Sequence, residues 1–299
     1  MGSINARQND DQAISLLKCS RVSNTTPTRI EAVRTLGSIA LVVITIVYAI
    51  LGRTEPILAL SGALWALIST LGLAQWSKQK ALEAATIQEH FDTYVFELPW
   101  NNSRAAKIQP ERLHDLAGRY RGSIDDLKNW YPDVSKTSRP FDIMLCQRSN
   151  LTWDIRLRER WMNFVRWARI GWVTIGVAVG VAGGMTVWTT LLRWYVPSLA
   201  AIILATEIVR AQRNIVGDRK ILLGRLQDVL DPDLHDQPSP ERVKDIEVIC
   251  RDIQDGIFDT RNQVARVPNW FYKYFRGRDE SAMQAAASSI QQTPDSSGT

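Results

Sequence analysis

The sequence predicts an all-α integral membrane protein: two transmembrane helical hairpins (four spans) with a helical cytoplasmic body formed by the middle and C-terminal regions. Three observations predict it. The stretch Trp172–Leu192, WVTIGVAVGVAGGMTVWTTLL, has no charged residue and at about 1.5 Å per residue crosses a hydrocarbon layer of about 30 Å. Two more apolar runs, Leu36–Leu51 and Ile57–Trp76, are separated only by Gly52-Arg53-Thr54-Glu55-Pro56, a link too short for anything but an antiparallel turn. No stretch alternates in the way a half-buried sheet requires.

Composition agrees. The 299 residues are 45% hydrophobic and 22% charged, and the mean hydropathy is −0.14, so apolar spans alternate with sizeable polar parts. The net charge of +5 and pI near 9.2 come mostly from Lys and Arg beside the apolar runs. Membrane orientation requires such flanks, which makes nucleic-acid binding a poor first inference. Cys19, Cys146 and Cys250 lie outside the spans with no CxxC or Cys/His spacing, so free thiols on a cytoplasmic surface and no metal site are expected. The polar first residues hold no cleavable signal, and the first span is expected to remain as an anchor.

In order, the chain divides into a cytoplasmic N-terminal arm (1–35), a first hairpin (36–76), a cytoplasmic helical region with stalks (77–169), a second hairpin (170–207), cytoplasmic C-terminal helices (208–280) and a mobile tail (281–299). The arm carries a short helical pattern at Asp11–Ser20, interrupted at Thr25, Thr26 and Pro27. In the second span Gly62, Ala66, Thr70 and Ala74 recur every four residues, as Gly176, Gly180 and Gly184 do in the third. Each set is a small-residue ridge along which a neighbouring helix packs closely. Ser77–Phe96 continues the second span as a stalk until Pro99. Pro110 begins a helix through Tyr120, Ser123 and Asp126 have the spacing of a capping box, and Phe141–Arg169 leads into the third span. Trp194–Thr206 is uncharged but short: a tilted fourth span is the reading adopted, with a re-entrant segment or a buried helix end as the alternatives. Ile208–Leu230 continues it. Ser239-Pro240-Glu241 then starts a helix whose Val243, Ile246, Cys250, Ile253 and Ile257 form one apolar stripe.

Arginines fix the orientation. Arg156, Arg158, Arg160, Arg166 and Arg169 precede the third span, and Arg210, Arg213, Arg219, Lys220 and Arg225 follow the fourth. The two turns carry only Arg53 and Arg193, so the turns face outward and both termini face the cytoplasm.

Catalytic signatures are missing from the sequence. It contains no Walker loop, no GxGxxG after a strand, no HExxH and no GxSxG; His90, His114 and His235 stand alone. The pairs Asp10-Asp11 and Asp125-Asp126 fit helix caps. An enzyme is not expected. The spans hold no ionisable residue of the kind a proton-coupled transporter uses, and four helices enclose too little space for a wide pore, so a pore requires a homo-oligomer.

Three polar-aromatic stretches stand out in the body: Phe91–Asn101, Asn129-Trp130-Tyr131 and Cys146–Asp154. Trp100, Asn101, Trp130, Tyr131, Gln147, Arg148, Asn150 and Trp153 offer ring faces, amides and a guanidinium that could stack a base and hold a phosphate. Taken alone, these stretches are better explained as the core and caps of a small helical domain.

The residues resemble the SMODS-associated four-transmembrane effectors, a family of pore-forming proteins of bacterial cyclic-oligonucleotide anti-phage (CBASS) systems. The matching pieces are Ile4 with Arg7-Gln8-Asn9; Phe91-Asp92 with Val95-Phe96 and Leu98-Pro99-Trp100-Asn101; Asn129-Trp130-Tyr131; and Cys146-Gln147-Arg148 with Asn150, Trp153-Asp154 and Leu157-Arg158. Ile253-Gln254-Asp255, Arg261, Val267-Pro268, Arg278 and Glu280 follow. Asn269 departs from the acidic residue usual after Val-Pro. The resemblance implies a multi-pass protein of the bacterial inner membrane. Its activating ligand would be a cyclic di- or oligonucleotide from a cognate nucleotidyltransferase, with no other cofactor. It would open as an oligomer to breach the membrane and abort infection. A small channel or scaffold not gated by a nucleotide is the alternative.

Overall fold

The computed structural model describes residues 3–50, 56–233, 238–263 and 266–275, and every regular element among them is helical. A single turn, α1 (Ile4–Arg7), is capped by Ser3 and leads into α2 (Asp11–Ile50). The interruption expected at Thr25, Thr26 and Pro27 does not occur. Proline removes one ladder amide, but Ser23, Asn24, Thr25 and Thr28 bond back to carbonyls about one turn earlier, and Pro27 is buried in the packed bundle. Tertiary packing overrides the local break.

The second rod is α3 (Pro56–Leu67), a π-turn (Ile68–Leu73) and α4 (Ala74–Phe96), which packs along α2 as the expected hairpin. Glu97, at φ 51°, turns the chain out of α4. In the body lie α5 (Pro110–Gly118) and one 3-10 turn (Asp125–Leu127). The Ser123 hydroxyl accepts the Asp125 amide at 3.2 Å, and where the capping box was expected only the 3-10 turn follows.

The second hairpin differs from expectation. Helix α6 (Phe141–Ala182) stops inside the run Trp172–Leu192, and that run is therefore two legs and a turn. Gly184 sits at φ +62° with open space where a Cβ would go, and the Met185 amide closes back on the Gly180 carbonyl at 2.9 Å. Thr186 then caps α7 (Val187–Thr190), which passes through a π-turn (Leu191–Tyr195) into α8 (Val196–Asp233). The fourth leg begins at Val187, not Trp194, so it is no longer short. Arg193, expected in an outward turn, lies inside this leg. Arg53, with the first turn, is outside the described residues, as are His235, Arg278, Glu280 and the tail.

Two described helices, Asp11–Tyr48 and Phe141–Ala182, are long and apolar enough to cross a membrane, and only 12% and 17% of their apolar windows is buried. Apolar side chains turned outward are the reverse of a soluble bundle. Their partner rods are divided by π-turns and do not meet that measure as single helices, so four complete spans are not established.

Small residues pack the second hairpin. A Cβ at Gly176 would stand 2.4 Å from Trp194, and one at Gly180 would stand 2.5 Å from the Thr190 hydroxyl; Gly184 serves the turn instead. In the first hairpin Gly62 faces open space, Thr70 is exposed and Ala74 half-buried, and the Ala66 side chain is outside the described set. The close approach there is made by Gly37, whose Cβ would meet Trp65 at 2.2 Å.

Below the legs, α9 (Pro240–Asn262), capped by Ser239, closes the body against α4, α6 and α8. Its stripe Ile246, Cys250, Ile253 and Ile257 enters a core with Leu17, Phe91, Phe96, Met144, Leu151 and Leu226. The three cysteines are free, but each is 0% exposed, which corrects the surface placement.

Candidate functional site

The polar residues of the body's motifs converge on one another. On α4, Glu89 and Asp92 lie three apart and face the same way. On α9, Arg251, Gln254, Asp255 and Arg261 lie beside the apolar stripe at helical spacing. The Gln254 amide donates to Glu89 at 2.8 Å and to Asp92 at 2.9 Å. Tyr131 donates its hydroxyl to Asp92 at 2.7 Å, and Arg261 pairs with the same carboxylate. Arg251 bridges Glu89 (2.6 Å) and Asp255, which also accepts from Asn101 at 2.8 Å. Gln147 on α6 donates to the Cys250 carbonyl at 2.8 Å and to Gln254 at 3.2 Å. From the arm, Gln8 accepts the Tyr131 amide at 2.7 Å. One hydrogen-bonded chain thus runs from Gln8 to Asn101 through the centre of the body.

Charge in this chain is nearly balanced, as burial demands. Burial, with Asp92 nearby, raises the Glu89 carboxyl above the usual range despite its partners. Burial would lower Arg261, but Asp92 beside it outweighs that and holds the guanidinium firmly protonated. Burial raises the Tyr131 phenol well above its ordinary value. Gln147 Oε1 and Arg261 Nη2 are buried without a hydrogen-bond partner among the described residues.

A second cluster ties α6 to α8 nearer the legs. Asp154 pairs with Arg158 and, at 3.0 Å, with Arg219, which also reaches Asn150 at 3.5 Å. Arg158 donates to Gln212 at 2.8 Å. Burial brings Arg219 down to about 10. Burial would raise Asp154, but Arg158 and Arg219 outweigh it and hold the carboxyl low.

Beside the first network a cleft of about 350 Å³ opens between the lower ends of α2 and α4 and the loop after α4. Gln12 and Ser15 line one wall, His90, Thr93 and Tyr94 the other, with Trp100 and Lys107 at the mouth and Leu16, Leu98 and Leu113 below. His90 lies 4.4 Å from the Trp100 ring and accepts the Ile108 amide at 3.2 Å. Burial, then Lys107, lowers its pKa to about 4, so it is neutral at pH 7. The Lys107 ammonium is 5.8 Å from the Trp100 centroid. The lining thus brings together aromatic faces, a neutral imidazole, small polar groups and one cation. Among the described residues, no His, Cys, Asp and Glu group is placed to hold a metal.

The structure disperses the residues singled out from sequence. Trp100 is at the cleft. Asn101, Tyr131 and Gln147 belong to the first network, and Asn150 to the second. Trp130 is half-buried against Phe91 with Arg21 over its ring at 5.1 Å, and Trp153 packs on Tyr272 at 5.3 Å. Arg148 is half-buried on α6. Sequence reasoning missed Glu89, Arg251 and the cleft residues His90 and Lys107. The first two carried a readable signal, polar residues at helical spacing beside an apolar stripe. Nothing in the sequence joins His90 to Lys107.

The model of the SMODS-associating 4TM effector domain matches residues 2–290. A curated protein of Bacillus cereus (strain VD146), named a probable CBASS effector molecule, is 24% identical over 289 residues, 93% of this chain and 94% of that protein. No solved structure matches.

Proposed function

Because the chain belongs to the family of SMODS-associating 4TM effectors, we propose that it is a membrane effector of a CBASS anti-phage system, gated by a cyclic nucleotide and acting by breaching the bacterial inner membrane. One observation carries the gating. The cleft is walled by Gln12 and Ser15 of α2 and by His90 and Tyr94 of α4, and these two rods continue upward as the legs of the first hairpin. A ligand wedged there acts on both legs directly. It drives opening to the extent that it binds the open arrangement more tightly than the closed one. On this reading the Trp100 ring stacks a base and Lys107 meets a phosphate; both line the cleft, 5.8 Å apart from ammonium to ring centroid. Tyr131, Gln147 and Asn101 act behind them by holding α4, α6 and α9 together. On the same reading several copies assemble to form the pore, since four helices enclose too little space for one.

The test is full-length protein in liposomes with a panel of cyclic di- and trinucleotides, read by release of graded dyes and by thermal stabilisation. One nucleotide is expected to raise the melting temperature and release dye. Trp100→Ala and Lys107→Ala are each expected to raise the half-maximal dose by roughly tenfold or more. Arg148→Ala, on α6 and not part of the cleft lining, is expected to keep the wild-type dose-response. Leakage that ignores every nucleotide would favour an ungated channel and overturn the messenger role.

A further inference from the structure

In the α4 wall of the cleft, the Ile108 amide fixes where His90 carries its proton. His90 Nε2 accepts that amide at 3.2 Å. A ring nitrogen that accepts has no hydrogen of its own, so the neutral imidazole holds its hydrogen on Nδ1. Burial and Lys107 keep the ring neutral, which agrees. Turning the ring over would set a carbon against the Ile108 N–H and leave that amide unpaired. Trp100 lies 4.4 Å from the imidazole at 49°, and its own indole N–H is fastened to the Ala105 carbonyl at 3.0 Å. The two ring nitrogens point widely apart, so with Nε2 turned to the loop after α4, Nδ1 is turned away from it. Among the described residues no acceptor meets Nδ1, and it is not one of the sealed, unpartnered nitrogens of the body. The N–H therefore opens onto the cleft that the ring lines.

The neighbours one turn along α4 have the opposite polarity. The Tyr94 hydroxyl donates to the Asp10 carboxylate at 2.5 Å, and the Thr93 hydroxyl donates to the Glu89 carbonyl at 2.7 Å. With their hydrogens engaged, both oxygens have only lone pairs to offer the cleft. Positions 90, 93 and 94 share one face of the helix. The α4 wall thus sets one fixed donor beside two fixed acceptors, while Gln12 on the α2 wall can act in either sense.

We infer that His90 is the specificity residue of the cleft: its Nδ1–H pairs with an acceptor atom in the plane of the bound base, and Tyr94 takes a hydrogen from the group beside that atom. The ligand class is a heteroaromatic base with an acceptor next to an N–H, as in adenine N7 with its N6 amino group. An edge with two neighbouring acceptors, such as guanine N7 and O6, would set a lone pair against the Tyr94 oxygen and is refused in that pose. The inference rests on the reading that a nucleotide binds this cleft.

The experiment has two arms on full-length protein. In the first, 15N-histidine labelling of wild type and His90→Gln assigns the His90 imidazole among the three histidines of the chain. The Nδ1–H tautomer is expected without ligand, and an Nε2–H tautomer would overturn the inference outright. In the second, the probes are cyclic di-AMP, cyclic di-GMP, cyclic GMP–AMP and cyclic tri-AMP, read by dye release and melting temperature in liposomes. Asparagine sets an amide N–H where Nδ1 stood, and glutamine sets a carbonyl where Nε2 stood, so the two variants separate the ligand contact from the Ile108 contact. His90→Gln is expected to raise the half-maximal dose of the active probe roughly fivefold, the loss of about one hydrogen bond, with His90→Asn within about twofold of wild type. Normal His90→Gln with impaired His90→Asn would mean that His90 only holds the loop, and equal responses of the two would mean that it reads no ligand atom. Either result overturns the inference and leaves the messenger reading standing. Wild type that answers no probe, in release or in melting temperature, overturns both.

Discussion

Arg261 reaches Asp92 from near the end of α9, and removing it leaves a buried carboxylate with only the Tyr131 hydroxyl and the Gln254 amide. Arg261→Ala is therefore expected to cost about 3–5 kcal/mol, the penalty for breaking a buried pair, read as a fall in thermal midpoint in detergent. Tyr131→Phe removes one bond to a charged acceptor and should cost less, about 1.5–3 kcal/mol. A loss under about 1 kcal/mol for Arg261→Ala would mean that Asp92 is not held by this partner. His90 carries a pH prediction. Burial first and Lys107 second hold its folded pKa at about 4, whereas a free imidazole titrates near about 6.5. Between these values the unfolded chain binds more protons, so this residue's contribution falls as pH drops from about 6.5 towards 4. Glu89 and Asp142, raised by burial, work in the opposite sense. Comparing wild type with His90→Gln isolates the imidazole: the wild type should lose roughly 2 kcal/mol more over that range, allowing for solvent screening. Equal slopes would place His90 in water.

At the level of elements, the glycines of the second hairpin separate by role. Gly180→Leu drives a side chain into Thr190, so it should part α6 from α7 and weaken dye release while leaving nucleotide-induced stabilisation unchanged. Gly184→Ala meets no neighbour but must hold φ +62°, at a cost of about 1 kcal/mol in the melt and little change in release. Normal leakage by Gly180→Leu would reduce the close approach to filler. The same elements show what the sequence could reveal. The helical class, the first hairpin, the Ser239 cap and the stripe through Ile253 were legible because each has a period or a cap of its own. The turn at Gly183-Gly184 was not, since it lies in an uncharged run and its glycines match a packing period as well as a bend. Pro27 misled because packing around α2 outweighs one missing amide. The ridge through Gly62, Ala66, Thr70 and Ala74 was read with a uniform period, but the π-turn at Ile68–Leu73 widens the helix and changes the face. The motif residues were visible as motifs, yet only the fold brings Gln8, Asp92, Tyr131, Gln147 and Arg261 into one chain of hydrogen bonds, because they come from separate elements.

For the whole molecule, two exposed positions test the orientation that the flanking arginines predict. Met185→Cys in the turn of the second hairpin should react with a membrane-impermeant maleimide in intact spheroplasts, and Val248→Cys on α9 only after lysis; the opposite pattern would invert the topology. Both residues are exposed, and the native thiols are silent in either case. The position of that turn has a further consequence for how the protein enters its membrane. Between Arg169 and Glu207 the chain holds a single charged residue, Arg193, and the tip from Gly183 to Thr186 holds none. In a tip-first insertion that tip dehydrates only a few amides, and Arg193, which follows in the leg, adds about 2.5–3.5 kcal/mol on insertion scales. If the second hairpin spans the bilayer, it has no polar loop to drag across, and one arginine sets the cost of its entry.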